Sequence, residues 1–285
     1  MIDLNKDVTN DNEPISKGSD TSEGTAITLD DVKNVFALHG KNCGCSLQLR
    51  GKVVLIAFLV NDGESHWDVA SQAALVEVLK SASERLMADS RLGKQDLQIA
   101  YAYCQVSVPY VVNRKTSKNC VFDVLRQFGY KSVAAYQKHY EQKFSRDETA
   151  VSFVFNKTFR SYAAQITQDA TTEEPMPIGE EYSMVSFEKN NHTESEKSFL
   201  HELMHQFGAV DYYYPEYIKF KAEKFFPGSI MNDGMVIDDL TRFVIGWDDE
   251  PTQQAIDFLN AISSVTEADV EYARREELIN DGEAQ

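Results

Sequence analysis

Residues 52–60, KVVLIAFLV, form a nearly continuous apolar run rich in β-branched side chains, which predicts a strand buried on both faces. From Ser65 to about Ser90 the rhythm changes. Trp67, Val69, Ala73, Val76, Leu79, Leu86 and Met87 recur at helical spacing and predict one long amphipathic helix. Leu97–Val108 returns to a strand pattern. Strand, long helix and strand in this order predict a right-handed parallel crossover. Residues 119–143 read as a helix in two pieces broken at Gly129. Ala150–Phe155 and Ser161–Thr167 read as strands joined in a hairpin or meander, and Glu181–Glu188 as one further strand.

Past Asp211 the sheet rhythm is lost. Pro215–Phe226 is an aromatic, irregular or helical segment, and residues 238–247, 251–264 and 266–280 read as helices. The first 25 residues are polar and acidic and read as a disordered tail, followed by a short helix over Thr28–His39. The expected organisation is a tail over 1–28, an α+β subdomain over 29–211 with a mixed twisted sheet, and a mainly helical subdomain over 212–285. A cleft is expected between the two subdomains.

Between the last strand and the helical part lies His201-Glu202-Leu203-Met204-His205-Gln206-Phe207-Gly208-Ala209-Val210-Asp211, the pattern HExxHxxGxxD. On a helix His201 and His205 stand one turn apart and point the same way. That spacing suits two imidazoles on one zinc ion, with Glu202 beside them to handle a proton. Gly208 lets the chain leave the helix and turn, which can bring Asp211 back as third ligand. Thr193 and Glu196 form a Thr-x-x-Glu capping box at the expected helix start. Phe199, Leu200, Leu203, Met204 and Phe207 fall on one stripe at about 100° per residue, and the histidines lie roughly 150° from its centre. One face therefore enters a core while the histidines face a cleft. Glu216 and Glu223 are rivals for the third ligand, and His192 is the one other histidine close to the motif in sequence.

The pattern resembles that of the metzincin zinc peptidases, and Asp at the third ligand position is similar to the snapalysin-like and immune-inhibitor-A-like branches. Ser229-Ile230-Met231-Asn232 looks like the Met-turn, whose methionine, here Met231, lies beneath the zinc. Ile237–Trp247, IDDLTRFVIGW, looks like the helix ending in Gly-Trp that follows it. The likeness covers about residues 190–247. It implies a metzincin-like fold, a Zn²⁺ cofactor on His201, His205 and Asp211, and Glu202 as general base. Tyr213, within the run Tyr212–Tyr214, matches an Asp-x-Tyr arrangement in those branches, and its phenol would face the oxyanion.

Composition fits a globular protein: 285 residues, 42% of them hydrophobic. A net charge of −17 argues against nucleic acid and anionic membrane surfaces as partners, but does not set the sign of the cleft. No stretch is apolar enough to insert into a membrane. The resemblance favours a secreted protein, whereas the chain shows no signal peptide at its start, so the cytoplasm stays open. Cys43, Cys45, Cys104 and Cys120 permit two disulfides, four free thiols, or a Cys43 or Cys45 thiolate that reaches the zinc and keeps the site latent. The oligomeric state is not legible. The expected activity is hydrolysis of peptide bonds in peptide or protein substrates by a zinc-dependent endopeptidase. The alternative is a zinc-dependent peptide-binding protein without turnover.

Overall fold

The computed structural model describes residues 2–3, 48–92, 95–164, 181–213, 216–264 and 266. The expected N-terminal helix, Cys43, Cys45, Tyr214, and nearly all of the helix expected over 266–280 lie outside these residues.

The strands are β1 (Ile2–Asp3), β2 (Gly51–Asn61), β3 (Leu97–Ser107), β4 (Glu148–Phe155), β5 (Tyr162–Ala164) and β6 (Tyr182–Ser186). They form one sheet in the order β1-β3-β2-β4-β6-β5. Every neighbouring pair is parallel except β5 with β6. β2 is central, and each residue from Val53 to Val60 is at most 1% exposed. This explains its unbroken apolar run, because a strand covered on both faces has no side for polar residues.

Seven helices complete the described residues: α1 (Val69–Leu92), α2 (Ser117–Gln127), α3 (Val133–Phe144), α4 (His192–Gln206), α5 (Glu216–Phe225), α6 (Asp239–Val244) and α7 (Gln253–Ser263). On one sheet face Val53, Leu55, Ala57 and Leu59 pack with apolar residues of α1, α4, α5 and α7. On the other, Val54, Ile56, Phe58 and Val60 pack against α2 and α3. The result is a mixed α/β architecture with a mostly parallel sheet, compatible with the α+β class read from the sequence. Among the described residues no helix is long and apolar enough to cross a membrane. Cys104 and Cys120 are both buried in the second core and are not joined by a disulfide.

Two boundaries differ from expectation. α1 begins at Val69, not Ser65. Residues 62–65 are held in a turn by Asp62, whose Oδ1 accepts from the Glu64 and Ser65 amides at 2.7 and 2.6 Å. Asp68 then starts the helix by accepting from the Ser71 amide at 2.6 Å. The hairpin expected between β4 and β5 does not form. β6 inserts between them, parallel to β4 and antiparallel to β5. Strand periodicity carries no information about which neighbour a strand chooses.

The chain after α6 is pinned to the start of the sheet. Trp247, 1% exposed, donates its indole N–H to the Leu49 carbonyl at 2.6 Å. The Leu49 amide donates to the Ile245 carbonyl at 2.8 Å. Between them Gly246 adopts φ +88° against the Gln48 side chain, where a Cβ would come within 2.9 Å of Gln48 Cγ. The Gly-Trp pair is thus a docking joint between the helical segment and β2.

Candidate metal centre

α4 carries the motif. Asn191 caps it by accepting from the Glu194 amide at 3.3 Å, so the expected Thr193–Glu196 capping box is not used. Thr193 already lies inside the helix. Glu196 instead accepts from Ser81 Oγ at 2.7 Å on α1 and faces Arg85 at 3.8 Å. The apolar stripe behaves as the spacing predicts: Phe199, Leu200, Leu203, Met204 and Phe207 are at most 2% exposed. Burying a side chain of this size contributes roughly 1.5–3 kcal/mol, so the stripe sets how α4 sits on the sheet. Gln206, fully buried, adds direction. Its Oε1 accepts from the Val151 amide of β4 at 3.0 Å, and its Nε2 donates to Ser183 Oγ of β6 at 3.1 Å.

The helix ends in a Schellman turn. The Gly208 amide donates to the His205 carbonyl at 3.0 Å and the Ala209 amide to the Met204 carbonyl at 3.1 Å. Gly208 sits at φ +93°, which a residue with a Cβ adopts only under strain. The reversal has two chemical consequences. It brings the Ala209 carbonyl to 2.8 Å from His205 Nδ1, and it returns Asp211 to the histidines.

The three side chains form a nearly equilateral triangle. His201 Nε2 and His205 Nε2 are 3.2 Å apart, and Asp211 Oδ1 is 3.0 Å from each. This is the one group of three or more potential ligands among the described residues. An ion about 2.0–2.2 Å from three donors at tetrahedral angles requires them about 3.3–3.6 Å apart, so the triangle needs only slight expansion. The ring tautomers point the same way. Both Nδ1 atoms face backbone carbonyls, Ile230 for His201 and Ala209 for His205, each at 2.8 Å. A ring nitrogen that close to a carbonyl oxygen carries the proton. In the neutral rings both Nε2 lone pairs therefore face inward, towards each other and a carboxylate oxygen. Three converging lone pairs repel unless a proton or a metal cation lies between them. The residues present fit a divalent metal ion, and the donor set of two imidazoles and one carboxylate is one that zinc takes.

The electrostatics carry the same strain. Burial opposes charge on His205, but the Asp211 carboxylate and Glu202 outweigh it and push the ring up to about 9. Burial alone would raise Asp211, yet the two rings hold its carboxyl well below the usual carboxylate range. Glu202, 4% exposed, is raised by burial against the pull of His205 and His201. Its Oε2 is buried without a hydrogen-bond partner.

Met231 is fully buried in a short 3₁₀ turn, Ile230–Asn232. The turn grips both ligand segments: the Ile230 carbonyl accepts from His201, and the Met231 carbonyl accepts from the Tyr212 amide at 2.7 Å. It is built around Asp238, which accepts from Ser229 Oγ at 2.6 Å and Thr241 Oγ1 at 2.7 Å. Tyr213 stacks on His201, with ring centroids 5.9 Å apart. Its hydroxyl lies near both Asp211 and Arg160, and burial with the Asp211 charge pushes the phenol up to about 12.

Two cavities flank the triangle. One, of about 910 Å³, reaches His205 and Asp211 and runs out below the β4–β5 loop. The other, of about 780 Å³, reaches His201. Glu202, Tyr213 and Arg160 line both. Arg160 was not foreseen in the sequence, since a single arginine in a loop carries no periodic or motif signal. The rivals are placed elsewhere. Glu223 lines the second cavity but is outside the triangle, and the Glu216 side chain lies outside the described residues. His192, at the start of α4, faces Glu196 at 3.9 Å. No family model matches the chain, and no curated protein matches it in sequence.

Proposed function

We propose that the protein is a zinc-dependent endopeptidase of metzincin-like design, closest to the branches with aspartate as third ligand. The observation that carries this reading is the triangle of His201, His205 and Asp211 beside the buried Glu202, whose Oε2 has no hydrogen-bond partner. Three protein ligands leave a tetrahedral ion one open position, as catalytic sites do. The buried Met231 turn that holds His201 supports the metzincin comparison.

Bound in the triangle, zinc supplies a Lewis acid that polarises a scissile carbonyl and acidifies water. Glu202 takes a proton from the attacking water and delivers it to the leaving amine. It lines both cavities, so a peptide lying across the cleft passes its carboxylate. The Tyr213 phenol stays protonated and lines both cavities, so once Asp211 is engaged by the metal its proton is available to a carbonyl oxygen as negative charge develops. Ile230 and Ala209 fix the ring tautomers, so both lone pairs face the ion. The substrates are peptides or unfolded proteins.

The deciding experiment combines metal analysis with digestion of a diverse peptide library. Expected are one zinc per chain and cleavage that a chelator abolishes and zinc restores. A full zinc site with no cleavage of any peptide would replace this reading with a peptide-binding protein.

A further inference from the structure

The 910 Å³ cavity is lined by three cations, Arg114, Lys157 and Arg160. Lys157 is committed. Its ammonium lies 2.7 Å from Asp62 and 3.3 Å from Glu64, and donates to the Val112 carbonyl at 2.9 Å. A divalent ion held by the triangle would balance Asp211 and Glu202. Arg114 and Arg160 remain. Among the described residues neither has a carboxylate within ion-pair distance; Arg160 lies near the neutral Tyr213 phenol and feels the Asp211 and Glu202 charges from further off. The chain has 45 acidic residues against 28 basic ones, so two arginines left without a carboxylate in one cavity are contrary to the general charge balance. The flanking cavity is more acidic: it shares Arg160 and Glu202 but adds Glu188, Glu194, Glu223 and Asp233 against Lys197 and Lys219, while Arg114 lines the first cavity alone. Lys197 there is tied to Glu194 and Asp233, at 2.8 Å each.

Resting on the peptidase reading, we infer that the cavity beside His205 and Asp211 is a carboxylate-selective subsite, in which Arg114 and Arg160 receive an anionic group of the substrate on one side of the scissile bond. A guanidinium fork matches a carboxylate geometrically, and among the described residues the carboxylates that act on Arg160, Asp211 and Glu202, stay beyond ion-pair distance. The same group is repelled from the acidic cavity on the other side, so the charge asymmetry also fixes the direction in which the peptide lies. The carboxylate has two sources, an Asp or Glu side chain or a free C-terminus.

The test uses the zinc-loaded full chain and internally quenched peptides. Each position flanking the cleaved bond is Glu, Gln or Lys, and each peptide carries a free or amidated C-terminus. A Glu peptide should exceed its Gln counterpart in kcat/KM by about tenfold or more at a position on one side only. Loss of the advantage on amidation, with no effect of Glu, assigns the subsite to the C-terminus. Arg114→Gln should shrink the ratio, and Arg114→Glu should turn the preference towards Lys. Equal kcat/KM for Glu, Gln and amidated peptides would overturn the subsite and leave the peptidase reading standing. Binding of the labelled peptides to zinc-loaded Glu202→Gln, followed by fluorescence anisotropy, decides the subsite without turnover. Tighter binding of the anionic peptides supports it even where the wild type cleaves nothing, and equal binding overturns it.

Discussion

His201 Nδ1 and the Ile230 carbonyl oxygen lie 2.8 Å apart across 29 residues of sequence. One hydrogen bond thereby sets the tautomer of a candidate metal ligand from a turn in another part of the chain. The Met231 carbonyl of the same turn holds the Tyr212 amide, next to Asp211. The backbone of residues 230–231 therefore positions two of the three ligands.

Removing the Glu202 carboxylate should separate catalysis from metal binding. Its Oε2 has no hydrogen-bond partner, and the residue stands outside the ligand triangle. Glu202→Gln should keep one zinc per chain and an unchanged far-UV spectrum. Casein hydrolysis should fall by at least about 10²-fold, the usual scale of a general base. Cleavage within a few fold of wild type would remove Glu202 from the mechanism.

Asp211→Ala should lose the metal, whereas Glu223→Ala should keep it, because only Asp211 reaches both Nε2 atoms at 3.0 Å. The metal should also stabilise the fold by mass action, by about 2.7 kcal/mol when free zinc is about 100 times Kd. Chelation should lower Tm in the wild type and leave Asp211→Ala unmoved. Metal retained by Asp211→Ala, or iron in place of zinc in the purified protein, would defeat the assignment.

Gly208→Ala tests the turn that returns Asp211. At φ +93° an alanine is strained, at a cost of roughly 1–2 kcal/mol. Urea unfolding should shift to lower denaturant and zinc affinity should weaken together. Gly208→Asn should lose less, since asparagine tolerates left-handed backbone better. Equal behaviour of Ala, Asn and wild type would show that the turn does not need glycine.

Acid should act on the Asp62–Lys157 pair. Burial opposes the Asp62 charge, but Lys157 at 2.7 Å and the Ser65, Val112 and Glu64 amides outweigh it and lower the pKa below 3.8. A carboxyl depressed in the folded state binds fewer protons there than in the unfolded chain. Its stabilisation is complete above the unfolded value and is lost as pH falls through the folded one. Asp62→Asn should cost about 1–3 kcal/mol at pH 7, since it leaves the largely buried Lys157 ammonium only the exposed Glu64 carboxylate and the Val112 carbonyl. The gap to wild type should close as pH falls below about 4 and through the lowered folded-state value. A gap constant over that range would show that the carboxylate charge is not what holds the turn.

Short-range chemistry made much of the protein legible from sequence. β2 is an apolar run because it is covered on both faces, and the α4 stripe needed only a period of 3.6 to identify its buried side. His201, Glu202, His205, Gly208 and Asp211 lie within eleven residues, so helical spacing and one turn already bring the ligands together. Local competition was less legible. Asn191 rather than Thr193 caps α4, and Asp62 delays α1, because several polar side chains can satisfy the same free amides and only packing chooses between them.

Contacts distant in sequence were decided by the tertiary structure alone. β6 lies between β4 and β5 because pairing depends on how helices cover the sheet, and a strand's own period is indifferent to its neighbour. Arg160 reaches Tyr213, and Arg114 lines the same cavity, through loops whose positions are set by the strands that hold them. The sequence by itself determined which residues can bind a metal and move a proton, since that depends on residue type and helical spacing. Which carbonyls orient the rings, and which charges line the cleft without a partner, depends on distances between segments that only the folded chain defines.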